Sequence, residues 1–261
     1  MSNNLEYLIA QGANVNWPSI PLAATVRGMI DSGSHEWGFI IYRCVYGADE
    51  AWQQYMKYFE ADVLAGLEYQ GGDVLLPQYA KWTVIEDREK LDGASIDTVR
   101  AHFIEWRDRH SVELEVPFEK RLIGVVLVSD PPRRLPRFTY CLYVDQKCLN
   151  TMAAFAEKFP PAHRFALVPP LVATLIDADY VEEDYVPGGS RAGPGERGQF
   201  PPVDGRVCRY LGWEHNDVKT LGDKYDWLHG HRLDDPMDYI RPPKINPSGH
   251  KVLTDSEVNA A

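Results

Sequence analysis

The chain has 261 residues, 44% hydrophobic and 25% charged, with a net charge of −11 at neutral pH. That balance describes a globular protein with enough apolar material for a substantial core, in one large domain or two small ones. The negative charge sets the surface against phosphate backbones and anionic lipid, which argues against nucleic acid and membrane as partners.

Residues 1–35 mix polar and apolar positions around Pro18, Pro21, Gly28 and Gly33, and are expected to form an N-terminal arm with a short helix in IPLAATVRGMI. They lack the basic start and apolar run of a secretory signal, and no stretch approaches the ~20 apolar residues of a membrane span. Cys44, Cys141, Cys148 and Cys208 form no CxxC pair, so a reducing, cytoplasmic location without a disulfide framework is expected.

The α+β core is expected over 36–180. Its first strong element is Trp37–Tyr46, inside EWGFIIYRCVYGADEAW, a nearly continuous apolar run that suits a central strand covered on both faces. Strand alternation puts Phe39, Ile41, Arg43 and Val45 on one face and Gly38, Ile40, Tyr42 and Cys44 on the other. Gly47 turns the chain and Asp49 is the expected N-cap of a helix carrying Trp52, Tyr55, Phe59, Val63 and Leu67 at three-and-four spacing, stopped by Gly71–Gly72. A strand at Lys81–Asp87, a turn at LDGAS and a helix capped by Ser95 follow. Leu122–Asp130 reads as a strand, PPRRLPR at 131–137 as a solvated turn, and Arg137–Asp145 as a further strand. Asp145 then caps a helix over Gln146–Phe159, and Leu171–Ala178 supplies another strand. Residues 181–206 are Gly/Pro-rich and read as a loop. Residues 207–245 complete the same domain with a strand in VCRYLGW, a helix capped by Asn216 or Asp217, and an extended DYIRPPKI. Residues 246–261 read as a flexible tail. The pattern predicts an α+β fold, a mixed or antiparallel sheet with packed helices and a ferredoxin-like core with additions; a three-layer α/β sandwich is the alternative.

The blocks EWGFIIYRCVYGADEAW, WTVIEDREKLDGAS, RFTYCLYVD and YIRPP occur in this order across 36–245. As a set they resemble the recurring blocks of a large family of intracellular fungal proteins with no established activity. The resemblance implies an intracellular, single-chain α+β protein and brings no catalytic residues with it.

Two groups of residues carry candidate chemistry. Arg43 ends the first strand, Glu86 and Asp87 end the second, and Asp145 ends a later one. A guanidinium in a sheet needs a partner, because an unpaired buried ion is costly. If the strands are neighbours, an Arg–carboxylate cluster forms at the sheet edge, either as a structural salt bridge or as a ligand site in which Arg43 holds a carboxylate and Glu86 or Asp87 moves a proton. The second group is HGHRLDD, where His229 and His231 are of metal-ligand type, although the spacing matches no closed ligand set and a solvated loop explains it as well. Ser95 lacks a nucleophile elbow. Walker, dinucleotide and kinase signatures are absent, and no cofactor is expected. The expected function is that of a non-catalytic binding or interaction protein, with a small organic ligand or a protein as partner. The alternative is a cofactor-independent enzyme or small-molecule binder using the Arg43 cluster.

Overall fold

In the computed structural model, which describes residues 4–110, 135–161, 167–181 and 200–247, the apolar run after Glu36 forms β1 (Ile40–Arg43), and every residue from Trp37 to Val45 is buried. The other strands are β2 (Thr83–Ile85), β3 (Tyr140–Val144), β4 (Val172–Asp177), β5 (Trp213–Asp217) and β6 (Ile245–Asn246). They form one six-stranded mixed sheet in the order β2-β1-β3-β4-β5-β6. β1 runs parallel to both β2 and β3, β4 is antiparallel to β3 and β5, and β6 is parallel to β5.

Helices cover both faces. α3 (Asp49–Gln70) joins β1 to β2, and α4 (Arg88–Leu91) with α5 (Ile96–His110) joins β2 toward β3. α1 (Leu5–Gln11), α2 (Ala23–Ser32), α6 (Pro136–Thr139), α7 (Gln146–Ala156) and α8 (Leu221–Trp227) complete the set among the described residues. The face carrying Phe39, Ile41, Leu142 and Val144 packs against α2, α3, α7 and α8. The opposite face, with Ile40, Tyr42, Cys141 and Tyr143, packs against Leu91 of α4 and Val99 and Phe103 of α5. This is the alternation expected for β1, and it makes the protein an α+β fold with a mixed sheet and packed helices. Burying one Leu- or Phe-sized side chain in such a layer contributes about 1.5–3 kcal/mol.

The strand order differs from the ferredoxin-like order expected from the sequence. The 22 residues of α3 link β1 to β2 and the 15 residues of α5 follow β2, and both β2 and β3 run parallel to β1. α3 and α5 lie on opposite faces, so the two helices diverge on either side of β1. The carboxyl ends of β1 and β3 meet there, at a topological switch point.

The N-terminal arm is structured. Leu5, Val26 and Met29 join the main core. Leu22 precedes α2 with φ 51° and offers no capping side chain; Asp226 of α8 supplies the acceptor instead, taking the Thr25 backbone N–H at 2.7 Å. Gly66 lets α3 reach the turn Val218–Thr220, since a Cβ there would lie 1.9 Å from the Lys219 carbonyl oxygen.

Other local expectations meet mixed outcomes. Ser95 accepts from Thr98 N at 3.1 Å and Asp145 from Cys148 N at 3.0 Å, both as N-caps. Asp49 is the first residue of α3 and not its cap. Arg137 is buried, and donates to Gly38 O at 2.9 Å, Lys81 O at 2.6 Å and Thr83 Oγ1 at 2.8 Å, bracing the start of β1 against β2. The C-terminal strand lies at Trp213–Asp217, beyond most of VCRYLGW, and Asn246, assigned to the tail from the sequence, belongs to β6. The strand expected at Leu122–Asp130 lies outside the described residues, as do 131–134 of the basic turn and most of the Gly/Pro-rich loop.

Candidate functional site

Arg43 and its expected partners come together in part. β2 and β3 flank β1, so Arg43, Glu86 and Asp145 all lie at carboxyl ends of adjacent parallel strands. The guanidinium is buried. It pairs with Glu86 at 3.2 Å and with Asp49, donates Nε–H to Val45 O at 2.9 Å, and lies over the rings of Tyr46 and Trp52 at 4.6 and 5.2 Å. Asp49 is the partner the sequence did not reveal, because it had been assigned to capping α3. Asp87 and Asp145 are committed elsewhere: Asp87 caps α4 and pairs with Lys90 at 3.1 Å, and Asp145 caps α7. The cluster has the form of a closed structural joint, with its cation inside and its two carboxylates at the surface.

His229 and His231 face different surroundings. His229 packs edge-on against Tyr225 and lies against Gly28, where a Cβ would come within 2.2 Å of its Cε1. Burial pushes its pKa down to about 3, so it stays neutral. His231 stacks on Trp227 at 4.4 Å, with its Nδ1 3.1 Å from Trp227 O. Among the described residues no group of three or more His, Cys, Asp or Glu converges as a metal site.

A polar line across α7, β4 and β5 runs from Cys148 Sγ to Thr174 Oγ1 at 3.8 Å and on to His215 Nδ1 at 2.9 Å. Burial raises the Cys148 thiol well above its ordinary range and lowers His215 to about 3. Neither group is poised as nucleophile or base.

A concentration of buried polar groups lies where β5 and β6 meet α8. Glu214 is 0% exposed. Its carboxylate accepts from Lys224 Nζ at 2.7 Å, from Asn246 Nδ2 at 3.1 and 3.2 Å, and from Ile240 N at 3.3 Å. Burial raises its pKa, and Lys224 and Asn246 pull it partly back. Lys224 also pairs with Asp238. Such a pair is tolerated inside a protein only when further hydrogen bonds satisfy the remaining lone pairs, which Asn246 and Ile240 do here.

Beside this network is a pocket of about 350 Å³, bounded by Ala24 of α2, Asn216 of β5, Asn246 of β6 with Pro247 after it, and the polar side of α8. Asp223, Asp226, Asp238 and Lys224 line it together with Trp227 and His231. Asn216 is 1% exposed, and its side-chain nitrogen has no hydrogen-bond partner among the described residues. A buried amide donor left unmade is unusual and costs about 1–3 kcal/mol.

This site is not evident from the sequence, in which Asn216 reads as a cap of the following helix and not as part of the strand Trp213–Asp217. A usable signal was present: Glu214 and Lys224 are opposite charges set among Trp213, Val218, Leu221 and Tyr225, where a charge inside an apolar frame requires a partner. Comparisons with protein-family models, with curated proteins and with solved structures find no match to this chain.

Proposed function

We propose that this protein binds a small polar molecule in the pocket between α2, α8 and the β5–β6 edge, and that it does so without catalysing a reaction on it. The carrying observation is Asn216, a buried side chain at the wall of a pocket of about 350 Å³ whose amide nitrogen lacks a partner. Pockets of this size suit metabolite-sized ligands, and convergent polar groups fix their orientation. Lys224 and Asp238 are held in an ion pair and Asp226 in the α2 cap, with Asp223 beside them, an arrangement suited to holding a ligand. The four free cysteines support a reducing, cytoplasmic setting for this role.

A second reading keeps a ligand site, with or without cofactor-independent catalysis, at Arg43. Its support is position: Arg43 lies at the carboxyl ends of parallel strands beside the switch point, where open α/β sheets bind ligands. Against it stand the Nε bond, the two carboxylates and the two rings that already occupy the guanidinium.

The test is a thermal-shift screen of polar metabolites on wild type and on Ala24→Trp, which places an indole in the pocket. The expected result is at least one compound that raises the wild-type melting temperature and leaves the folded variant unmoved. Equal shifts in both proteins, or shifts abolished only by Arg43→Met, overturn the proposal.

A further inference from the structure

We infer that the ligand of this pocket is a small organic cation, a primary amine that carries a hydrogen-bond acceptor in the same molecule. This rests on the pocket being the binding site.

Lys224 brings one positive charge, and it is already matched from behind by the fully buried Glu214 at 2.7 Å. Asp238 shares the same ammonium. Asp223 and Asp226 also line the pocket without a salt bridge among the described contacts, Asp226 with one oxygen accepting from Thr25 N at 2.7 Å. Glu214 and Asp238 thus already hold the one lysine, and Asp223 and Asp226 add two further carboxyls to the pocket wall. Burial raises the pKa of Asp226, the Thr25 hydrogen bonds pull it partly back and Asp223 adds to it; burial also raises that of Asp223, with Asp238 adding and Lys224 opposing. Carboxylates grouped in this way are stabilised by an added cation and destabilised by an added anion.

Asn216 supplies the second, independent half. Its side-chain nitrogen is a donor, so it asks for a carbonyl, hydroxyl or ether oxygen. A molecule that meets both demands puts an ammonium toward Asp223 and Asp226 and an oxygen toward Asn216. An organic cation fits better than a bare metal ion, since no three ligand-type side chains converge among the described residues. Anionic metabolites are disfavoured by the same carboxylates.

The experiment is calorimetric titration of wild-type protein with matched probes: putrescine, 1,4-butanediol and succinate on one skeleton, glucosamine and glucose on another. The expected result is measurable binding of the amines, strongest for glucosamine, which carries acceptor oxygens, and affinity at least tenfold weaker for each neutral or anionic counterpart. Asp223→Asn, at an exposed position that leaves the core intact, is expected to weaken the amines roughly fivefold and leave the neutral probes unchanged, as removing one charge a few ångströms from another predicts. Tighter binding of butanediol, glucose or succinate than of the amines overturns the ligand class and leaves the binding pocket standing. Absence of binding by every probe to folded protein overturns both.

Discussion

Replacing Arg43 by methionine separates a structural joint from a ligand anchor. The methionine keeps an unbranched apolar stem in the same channel and removes only the guanidinium. The largest loss is the Nε–H bond to Val45 O at 2.9 Å, which as a charged donor to a buried carbonyl contributes about 1.5–3 kcal/mol. The ion pairs count for less, because the Asp49 and Glu86 side chains are 74% and 50% exposed; each contributes about 0.2–1 kcal/mol after solvent screening. The Tyr46 and Trp52 contacts add roughly 0.5–1 kcal/mol each. Methionine no longer incurs the desolvation of a buried cation, which offsets part of this. The expected net loss is about 2–3 kcal/mol, read by urea unfolding followed through tryptophan fluorescence, with ligand binding in the α8 pocket unchanged. A variant within about 0.5 kcal/mol of wild type, or one that keeps its stability and loses ligand binding, would refute the structural assignment of this cluster.

Further outcomes follow from the same structure. Lys224→Met strands the buried Glu214 and is expected to cost about 3–5 kcal/mol, while the double variant with Glu214→Met recovers most of that loss; a double variant no better than the single would contradict the ion-pair account. Gly66→Ala brings a methyl into the Lys219 carbonyl, and is expected to lower stability by about 1–3 kcal/mol or more through forced separation of α3 from the turn; wild-type stability would show that the close approach is absent. Asp62 is buried with one oxygen unpartnered, and burial, with Asp217 adding, raises its pKa from 3.8 to about 8. A carboxyl raised in the folded state binds its proton more tightly there than in the unfolded chain, so its contribution to stability falls as pH rises between about 4 and 8. Asp62→Asn should flatten that limb in urea titrations across this range, and an unchanged slope would count against it. Under native conditions iodoacetamide is expected to reach only Cys208, since Cys44, Cys141 and Cys148 are buried and burial raises all three thiols, Cys44 to about 12; mass spectrometry showing modified Cys148 in folded protein would contradict this.

How much was legible in the sequence depended on where partners lie along the chain. β1, α3, α5 and α7 announce themselves, because their apolar periodicity and the capping by Ser95 and Asp145 are local signals. The alternation that put Arg43 beside Phe39 and Ile41 also held, and it correctly implied carboxylate partners from the adjoining segments. Strand order was hidden, since nothing local says whether a crossover returns its strand parallel or antiparallel. β5 was hidden for another reason. Its sequence, Trp-Glu-His-Asn-Asp, is polar at the positions it buries, because Glu214 faces a lysine and an asparagine contributed from elsewhere and Asn216 lies at the pocket wall. Propensity reads such a segment as a helix start, and Asp217 does cap the turn that leads into α8. Arg137 shows the same effect: a cation in a proline-rich turn looks solvated until three acceptors from β1 and β2 arrive around it.

The most direct test of the pocket as a ligand site is the side-chain amide resonance of Asn216 in ¹⁵N-labelled protein, followed while a compound found in the screen is titrated in. Saturable movement of the Asn216 NH₂ signals, lost in Ala24→Trp, is the predicted result. Shifts gathered around Arg43 and Glu86 with Asn216 unmoved would contradict it.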